Sequence, residues 1–286
     1  MTNPLNESTI EHHAIVLFQE LGYAFGPDIG AEGDHQERAD YTDALLLERL
    51  RSAIHTLNPA VPKDIRDEAL RMVRDAAHGG LVTQNNLIQH MLVEGVRIAY
   101  QVDGEERGII VRLLDYDHPE KNDLLVVNQY TVIHDRINRR ADLVVFLNGI
   151  PLGLFELKNM ADANATTRKA WNQLQTYQVD IPNLMAYNAV LVISDGLKAA
   201  VGCLGAPYER FLPWKTIDQR FRRAGHGRRR LENDRQGSGR YRAPEHAHRL
   251  VHPRTGAGAS ATHGETGLTE TWLSTRHAGR GGEYGH

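Results

Sequence analysis

The first third of the chain repeats apolar positions at the spacing of an α-helix. Residues 8–21 put five apolar side chains on one helix face: Ile10, Ala14, Leu17, Phe18 and Leu21. Ser8 and Glu11 have the spacing of a capping box, and Gly22 fits the position that ends a helix. The same period predicts three further helices, over residues 42–57, 63–76 and 84–94. Residues 26–40 are rich in Gly, Asp and Glu and predict a loop.

After residue 95 the apolar positions change to the shorter period of β-strands. Five such segments follow, over residues 96–102, 108–114, 123–130, 141–147 and 151–158. Asn148-Gly149 separates the last two and is a strong signal for a tight hairpin. A helix is predicted over 164–178 and a further strand over 189–194. Helices, then an antiparallel meander, then a helix and a strand favour an α/β domain with a mixed sheet.

Charged residues lie in the two strands of this predicted hairpin. Asp142 is near the start of the first strand, and Glu156 and Lys158 end the second. Side chains alternate along a strand, so Glu156 and Lys158 share one face. A turn centred on Gly149 makes Asp142 and Glu156 cross-strand neighbours, about 5 Å apart at Cβ. The residues around them are apolar, which predicts buried carboxylates, and a bound metal ion would remove the cost of burying them.

This pattern suits the hydrolysis of a phosphodiester, which needs an activated water and compensation of the phosphate charge. Carboxylates that hold Mg²⁺ provide both, and a lysine can orient or deprotonate the water. The alternative interpretation is a solvated strand edge with a salt bridge. On the following helix Gln173 and Tyr177 share one face and could contact phosphate, or they could belong to the polar outer face of a covering helix.

Six residues together resemble the PD-(D/E)xK nucleases of the Q-x₃-Y branch: Asp142, Glu156, Leu157, Lys158, Gln173 and Tyr177. Longer blocks are similar to the N-terminal domain of the R (restriction) subunit of type I restriction–modification enzymes. Among these blocks are RRADLVVFLNGIPLGLFELKN and AWNQLQTYQVDIPNLMAYNAVLVISDG. The resemblance covers roughly residues 7–218. It implies an α/β fold with a restriction-endonuclease-like core, in which helices flank a mixed β-sheet, and endonucleolytic cleavage of DNA.

The resemblance also implies a role for each matching residue. Asp142, Glu156 and the Leu157 carbonyl would bind Mg²⁺, and Lys158 would position or activate the attacking water. Gln173 and Tyr177 would support the site and contact DNA.

Two positions of the resemblance are less specific. Glu11 matches a recurrent acidic position in the first helix of the family, but the capping box explains it equally well. The residue before the first aspartate is usually proline in the family and is Ala141 here. This difference weakens the match only slightly, because the proline is the looser part of the motif.

The resemblance further implies partners that this sequence does not contain. R subunits continue into an ATP-dependent motor and a region that docks on the methyltransferase core. The sequence has no G-x₄-G-K-S/T phosphate loop, so ATP would act only through motor domains that the chain lacks. We therefore interpret the sequence as a truncated R subunit. Its implied partners are double-stranded DNA and the methyltransferase and specificity subunits, with the docking region lost.

Composition changes sharply after Asp218. Residues 219–286 hold 13 Arg, no Lys and six acidic residues, a net charge of +7, whereas residues 1–218 hold 20 basic and 30 acidic residues, a net charge of −10. We predict a nuclease domain over 1–218 and an Arg/Gly/His-rich tail over 219–286 that is disordered or the product of a reading-frame shift. An acidic domain binds DNA poorly by itself, so another component is expected to deliver the DNA.

Two alternative functions follow from this charge distribution. The chain could be a non-catalytic remnant that never meets DNA, or an accessory protein that binds nucleic acid through its arginine-rich tail. The single cysteine, Cys203, excludes an internal disulfide and a cysteine-based zinc cluster. Apolar runs are short and no signal peptide is evident, which predicts a cytoplasmic protein without a membrane partner.

Overall fold

A computed structural model of the chain describes residues 7–27, 29–30, 36–76, 79–102, 105–158 and 167–214. All of these residues lie in one structural unit. The predicted tail, residues 219–286, lies outside the described residues, so both interpretations of it stay predictions. No helix within the described part is long and apolar enough to cross a membrane.

A seven-stranded mixed sheet forms the centre of the described structure. Its strands, in spatial order, are β1 (Ala24–Pro27), β4 (Leu124–His134), β5 (Ile137–Leu147), β6 (Ile150–Leu157), β7 (Val190–Ser194), β8 (Ala199–Gly202) and β9 (Leu212–Pro213). β1 pairs in parallel with β4, and β6 pairs in parallel with β7. The other neighbours pair antiparallel. The predicted mixed sheet is therefore confirmed.

The predicted meander was wrong in its first two strands. β2 (Val96–Val102) and β3 (Glu105–Val111) pair with each other in a separate two-stranded sheet. Much of β3 is exposed, so it lacks the two buried faces of a central strand. β1 overlaps the start of the predicted loop, and β8 and β9 had no sequence signal because they are only four and two residues long.

Helices cover both faces of the large sheet. They are α1 (Glu7–Glu20), α2 (Leu47–Leu57), α3 (Lys63–Asp75), α4 (Leu81–Glu94), α5 (Thr167–Asp180) and α6 (Pro182–Met185). The five helices predicted from periodicity are confirmed, and the short α6 was not predicted. α2 begins five residues later than predicted, because the Leu46 N–H donates to the Gly149 carbonyl at 3.0 Å instead of starting a helical turn.

One apolar cluster lies on each face of the large sheet. The larger cluster unites α2 to α6 with one face, through side chains such as Leu50, Leu154 and Leu174. The smaller cluster joins Ile10 and Ile15 of α1 to the other face. Strands β5 and β6 are therefore buried on both sides, and charges placed on them are removed from water.

The Asn148-Gly149 hairpin has the predicted tight turn. Both residues have positive φ, 51° and 78°, as a two-residue type I′ turn requires. A side chain at Gly149 would place Cβ 2.4 Å from the Leu46 carbonyl oxygen. Next to the turn, Leu147 pairs with Ile150. Between Phe146 and Val145 the register shifts by one residue, so that farther from the turn Leu143 pairs with Phe155. The predicted register is therefore right beside Asp142, although a bulge and not a turn centred on Gly149 produces it.

Candidate active site

The candidate site lies where β5 and β6 end their pairing. Asp142 follows Ala141 on β5, Glu156 and Leu157 are the last residues of β6, and Lys158 comes directly after it. β6 lies between β5 and β7, and Lys158 is still held by its N–H bond to the Ser194 carbonyl at 2.8 Å. The predicted catalytic residues are thus brought together on neighbouring central strands.

Asp142 is fixed by the backbone of the facing strand. Its Oδ2 accepts a hydrogen bond from the Leu157 N–H at 2.8 Å. Burial raises the pKa of Asp142, while that hydrogen bond and the charge of Lys158 act in the opposite direction. The carboxylate is therefore held in place, but it lacks full compensation for its burial.

Both β4 and β5 change face at the level of Asp142. Leu125 and Val127 of β4 pack in the larger cluster, and so do Tyr130 and Val132, so the alternation shifts by one residue between them. Gln129 lies at this shift with φ of 52°, and the flanking pairs place it opposite Asp142. Irregular backbone of this kind re-aims side chains at functional sites.

Glu156 is the most unusual acid of the site because its side chain is 0% exposed. Its Oε1 accepts from Lys158 Nζ at 2.5 Å, whereas Oε2 is buried without a hydrogen-bond partner in the described structure. Burial and the nearby Asp142 charge raise the pKa of Glu156 to about 8. A buried carboxylate oxygen without a partner is costly, and a cation placed beside it would remove that cost.

Lys158 supplies the positive charge of the site. Its Nζ donates to Glu156 Oε1 and, at 3.1 Å, to the Leu157 carbonyl. Burial lowers the pKa of Lys158, but the Glu156 and Asp142 carboxylates outweigh this effect and the pKa is raised. The ammonium thus contacts two of the three groups expected to hold a metal ion.

The donor groups fit a small hard cation. Two carboxylates and the Leu157 carbonyl offer only oxygen, which is the ligand type that Mg²⁺ prefers. Among the described residues no group of three or more His, Cys, Asp and Glu side chains could hold a metal. A bound ion would rest on Asp142, Glu156 and the carbonyl, because these oxygen groups lie together at the ends of β5 and β6, and the unpartnered Glu156 Oε2 is the observation that favours it.

Gln173 and Tyr177 form a brace on α5. The Tyr177 hydroxyl accepts from Gln173 Nε2 at 2.7 Å and donates to the Arg140 carbonyl at 2.9 Å, two residues before Asp142. Burial, followed by the Glu156 charge, raises the pKa of Tyr177. Tyr177 is 2% exposed, which fits support of the site and leaves almost no surface for the DNA contact that was also expected.

Glu11 has a different place from the one its capping-box spacing predicted. α1 begins at Glu7, so Ser8 lies inside the helix and is not its N-cap. The Glu11 carboxylate instead accepts from Asn128 Nδ2 at 2.8 Å and Gln129 Nε2 at 2.5 Å. Glu11 therefore holds the irregular part of β4 opposite Asp142.

Sequence reasoning missed the two amide side chains of this contact. Asn128 and Gln129 interrupt an otherwise apolar strand, and that interruption was the available signal. It also missed Glu7, whose charge adds a smaller contribution, after that of burial, to the raised pKa of Asp142.

This fold and site define the class of PD-(D/E)xK-like nuclease domains: a mixed seven-stranded sheet between helices, with the acidic pair and lysine on two central strands. Residues 4–210 match the model of the family described as "Type I restriction enzyme R protein N terminus", and the chain belongs to that family.

Two curated relatives support the family. The Type I restriction enzyme HindI endonuclease subunit of Haemophilus influenzae (strain ATCC 51907 / DSM 11121 / KW20 / Rd) is 36% identical over 223 residues, 77% of this chain and 21% of the relative. A protein of Methanocaldococcus jannaschii, named as a type I restriction enzyme MjaIXP endonuclease subunit, is 33% identical over 218 residues, 75% of this chain and 21% of the relative. The chain thus spans about a fifth of the length of these relatives.

Proposed function

We propose that residues 1–218 form a Mg²⁺-dependent endonuclease domain that hydrolyses DNA phosphodiesters, as the nuclease part of a type I restriction R subunit. The observation that carries the proposal is the buried Glu156, which faces Asp142 and Lys158 and keeps one oxygen without a partner. The names of the relatives, which are endonuclease subunits, support the same reaction.

Asp142, Glu156 and the Leu157 carbonyl would hold the Mg²⁺. When bound, Mg²⁺ supplies charge for the phosphate and makes a coordinated water more acidic. The hydrogen bond from the Leu157 N–H keeps Asp142 turned toward β6, and this bond sets the spacing between the two carboxylates.

Lys158 would position or deprotonate the attacking water. Its ammonium donates to Glu156 Oε1, and a divalent ion on the same carboxylate would replace this contact. Nζ would then be able to hold a water beside the phosphate. Gln173 and Tyr177 would support this arrangement by fixing the backbone two residues before Asp142, and the partly exposed Gln173 could also reach DNA.

Double-stranded DNA is the proposed substrate, and the methyltransferase and specificity subunits of a type I complex are the proposed partners. The net charge of −10 over residues 1–218 favours delivery of DNA by such partners. ATP would act through motor domains of the longer R subunits, because this sequence has no phosphate loop. A cytoplasmic location stays a prediction.

Calorimetric titration of the full chain with Mg²⁺ tests the proposal. We expect the wild type to bind Mg²⁺, and Asp142→Asn and Glu156→Gln each to lose measurable binding because each removes a charged ligand. Asp117→Asn is a matched control, since Asp117 is exposed and lies outside the site.

Nicking of supercoiled plasmid is the second measurement. We expect Mg²⁺-dependent nicking by the wild type and by Asp117→Asn, and none by Asp142→Asn. A folded wild type that binds no Mg²⁺, with or without a DNA duplex present, would favour the non-catalytic remnant.

A further inference from the structure

The two strands that meet at Asp142 continue past the large sheet. The pairing of β1 with β4 ends at Asn128, and the pairing of β6 with β5 ends at Leu143. Beyond these points β4 and β5 pair with each other as far as His134 and Ile137. Residues 130–141, here called the basic hairpin, therefore form a two-stranded extension that begins beside the candidate site.

The basic hairpin carries three arginines and one exposed acid, Asp135, in a domain with a net charge of −10 over residues 1–218. Arg139 is held by Asp180, at 2.6 Å between Nη2 and the carboxylate. Arg136 and Arg140 are exposed, and within the described part of the chain neither guanidinium makes an ion pair. By contrast, Arg168 near the start of α5 contacts Glu209 and lies over the Tyr208 ring at 4.3 Å. Arg136 and Arg140 are thus available for an external anion.

The backbone of Arg140 is tied to the candidate site. Its carbonyl accepts the hydrogen bond from Tyr177, the residue that braces β5 before Asp142. At about 3.3 Å per strand residue, Arg140 lies roughly 7 Å along the strand from Asp142. The backbone of Arg140 thus lies close to the site, and its exposed side chain is long enough to reach a phosphate that flanks it.

Arg136 occupies the turn of the basic hairpin. Asp135 and Arg136 both have positive φ, 45° and 70°, a conformation that glycine adopts without strain and arginine does not. Along the strand Arg136 lies roughly 20 Å from Asp142. With phosphates of one strand about 3.4 Å apart along a duplex axis, that distance corresponds to about six base pairs. The two arginines thus span a length suited to a duplex that continues past the site.

We propose that the basic hairpin is a DNA-contact surface, in which Arg136 and Arg140 bind backbone phosphates beside the phosphate that the site would cleave. The inference rests on the proposed function for its choice of ligand. Guanidinium groups bind phosphate with paired hydrogen bonds, and such contacts position a duplex without reading its sequence.

Binding of a fluorescent 30-base-pair duplex tests the inference, with the full chain in Ca²⁺ at several salt concentrations. Each lost phosphate contact lowers the slope of log affinity against log salt by about 0.9. We expect Arg136→Ala/Arg140→Ala to lower the slope by about 2 and to weaken binding on the order of tenfold at 50 mM salt. The tail arginines are present in every variant, so they do not contribute to the difference.

Arg97→Ala/Arg112→Ala is the matched control, because both arginines are exposed near the separate small sheet and the charge removed is the same. The control should keep the wild-type slope. Equal slopes and affinities for both double variants would overturn the inference, as would wild-type chain that binds no duplex at 50 mM salt.

The two proposals fail in different ways. If the wild type neither binds Mg²⁺ nor nicks plasmid but the Arg136→Ala/Arg140→Ala variant has a lower salt slope, the proposed nuclease function is wrong and the proposed DNA contact is supported. If the wild type nicks plasmid but the Arg136→Ala/Arg140→Ala variant keeps the wild-type slope, the nuclease function is supported and the DNA contact is wrong.

Discussion

Arg38 and Glu156 are both buried charges, but their surroundings differ. Arg38 is 3% exposed, packs on the Tyr130 ring at 4.0 Å and donates to the carbonyls of Ile29, Asp43 and Thr131. Glu156 is buried at 0% exposure, yet the hydrogen bond that Lys158 Nζ donates to its carboxylate reaches only Oε1. A buried charge that makes several hydrogen bonds stabilises the fold. A buried charge with few hydrogen bonds is instead typical of a binding site.

Removing the buried charge of Arg38 should have the largest effect on the free energy of unfolding. Arg38→Met keeps much of the packing on Tyr130 but leaves three carbonyls without their donor, so we expect a loss of about 3–5 kcal/mol in the free energy of unfolding. Urea denaturation measures it. Arg51→Met is the control, because Arg51 is exposed and its pair with Glu48 should contribute less than about 1 kcal/mol. Similar losses for both variants would contradict the structural role of Arg38.

Removing the charge of Glu156 should stabilise the fold at high pH, whereas removing the charge of Arg38 should destabilise it. The pKa of Glu156 is about 8 in the folded protein, against an ordinary value of 4.5. The folded state therefore binds this proton more tightly than the unfolded chain. The resulting stability is full below about pH 4.5 and is lost as pH rises through about 8. Metal-free protein should accordingly become less stable toward pH 9.

Glu156→Gln tests this dependence because glutamine stays neutral. We expect the variant to exceed the wild type at pH 9 by on the order of a few kcal/mol, and to match it closely near pH 4. Urea denaturation in EDTA at several pH values measures the difference. Glu94→Gln, on the exposed end of α4, should follow the wild type. A wild-type stability that is flat from pH 6 to 9 would show that Glu156 is not held in this state.

The brace on α5 should give a smaller effect than either charge. Tyr177→Phe removes the hydroxyl that links Gln173 to the Arg140 carbonyl, so we expect a loss of about 1–2 kcal/mol in stability and several-fold weaker Mg²⁺ binding. Tyr116→Phe is the control, because Tyr116 is exposed and bonds only the Leu92 carbonyl, at 3.2 Å, within the described structure. Unchanged metal affinity in Tyr177→Phe would separate the brace from the site.

Local features of the candidate site could be predicted from the sequence. The dipeptide Asn148-Gly149 and the spacing of Asp142, Glu156 and Lys158 identified the hairpin and its charges, because turn conformation and strand alternation are local properties. The predicted register agrees with the pairing of Leu143 with Phe155, the last pair before Asp142 and Glu156, even though the bulge was not foreseen.

Longer-range features could not be predicted in this way. Strands as short as β8 and β9 carry no periodic signal, and their pairing depends on distant partners. The separation of β2 and β3 into their own sheet depends on exposure of the β3 surface, which alternation alone does not reveal. The contact of Glu11 with Asn128 and Gln129 joins residues more than 110 positions apart, so spacing along α1 could only suggest a cap.

Glu11 gives the smallest expected effect and the sharpest distinction between roles. Glu11→Gln turns one acceptor into a donor that faces the amides of Asn128 and Gln129, so we expect a loss of about 1 kcal/mol in stability. If Glu11 only holds β4 opposite Asp142, Mg²⁺ affinity should fall by less than about threefold, which is well under the tenfold step of 1.4 kcal/mol. Calorimetry of the variant beside Glu20→Gln, an exposed acid of the same helix, makes the comparison. Complete loss of Mg²⁺ binding in Glu11→Gln alone would instead make Glu11 a metal ligand.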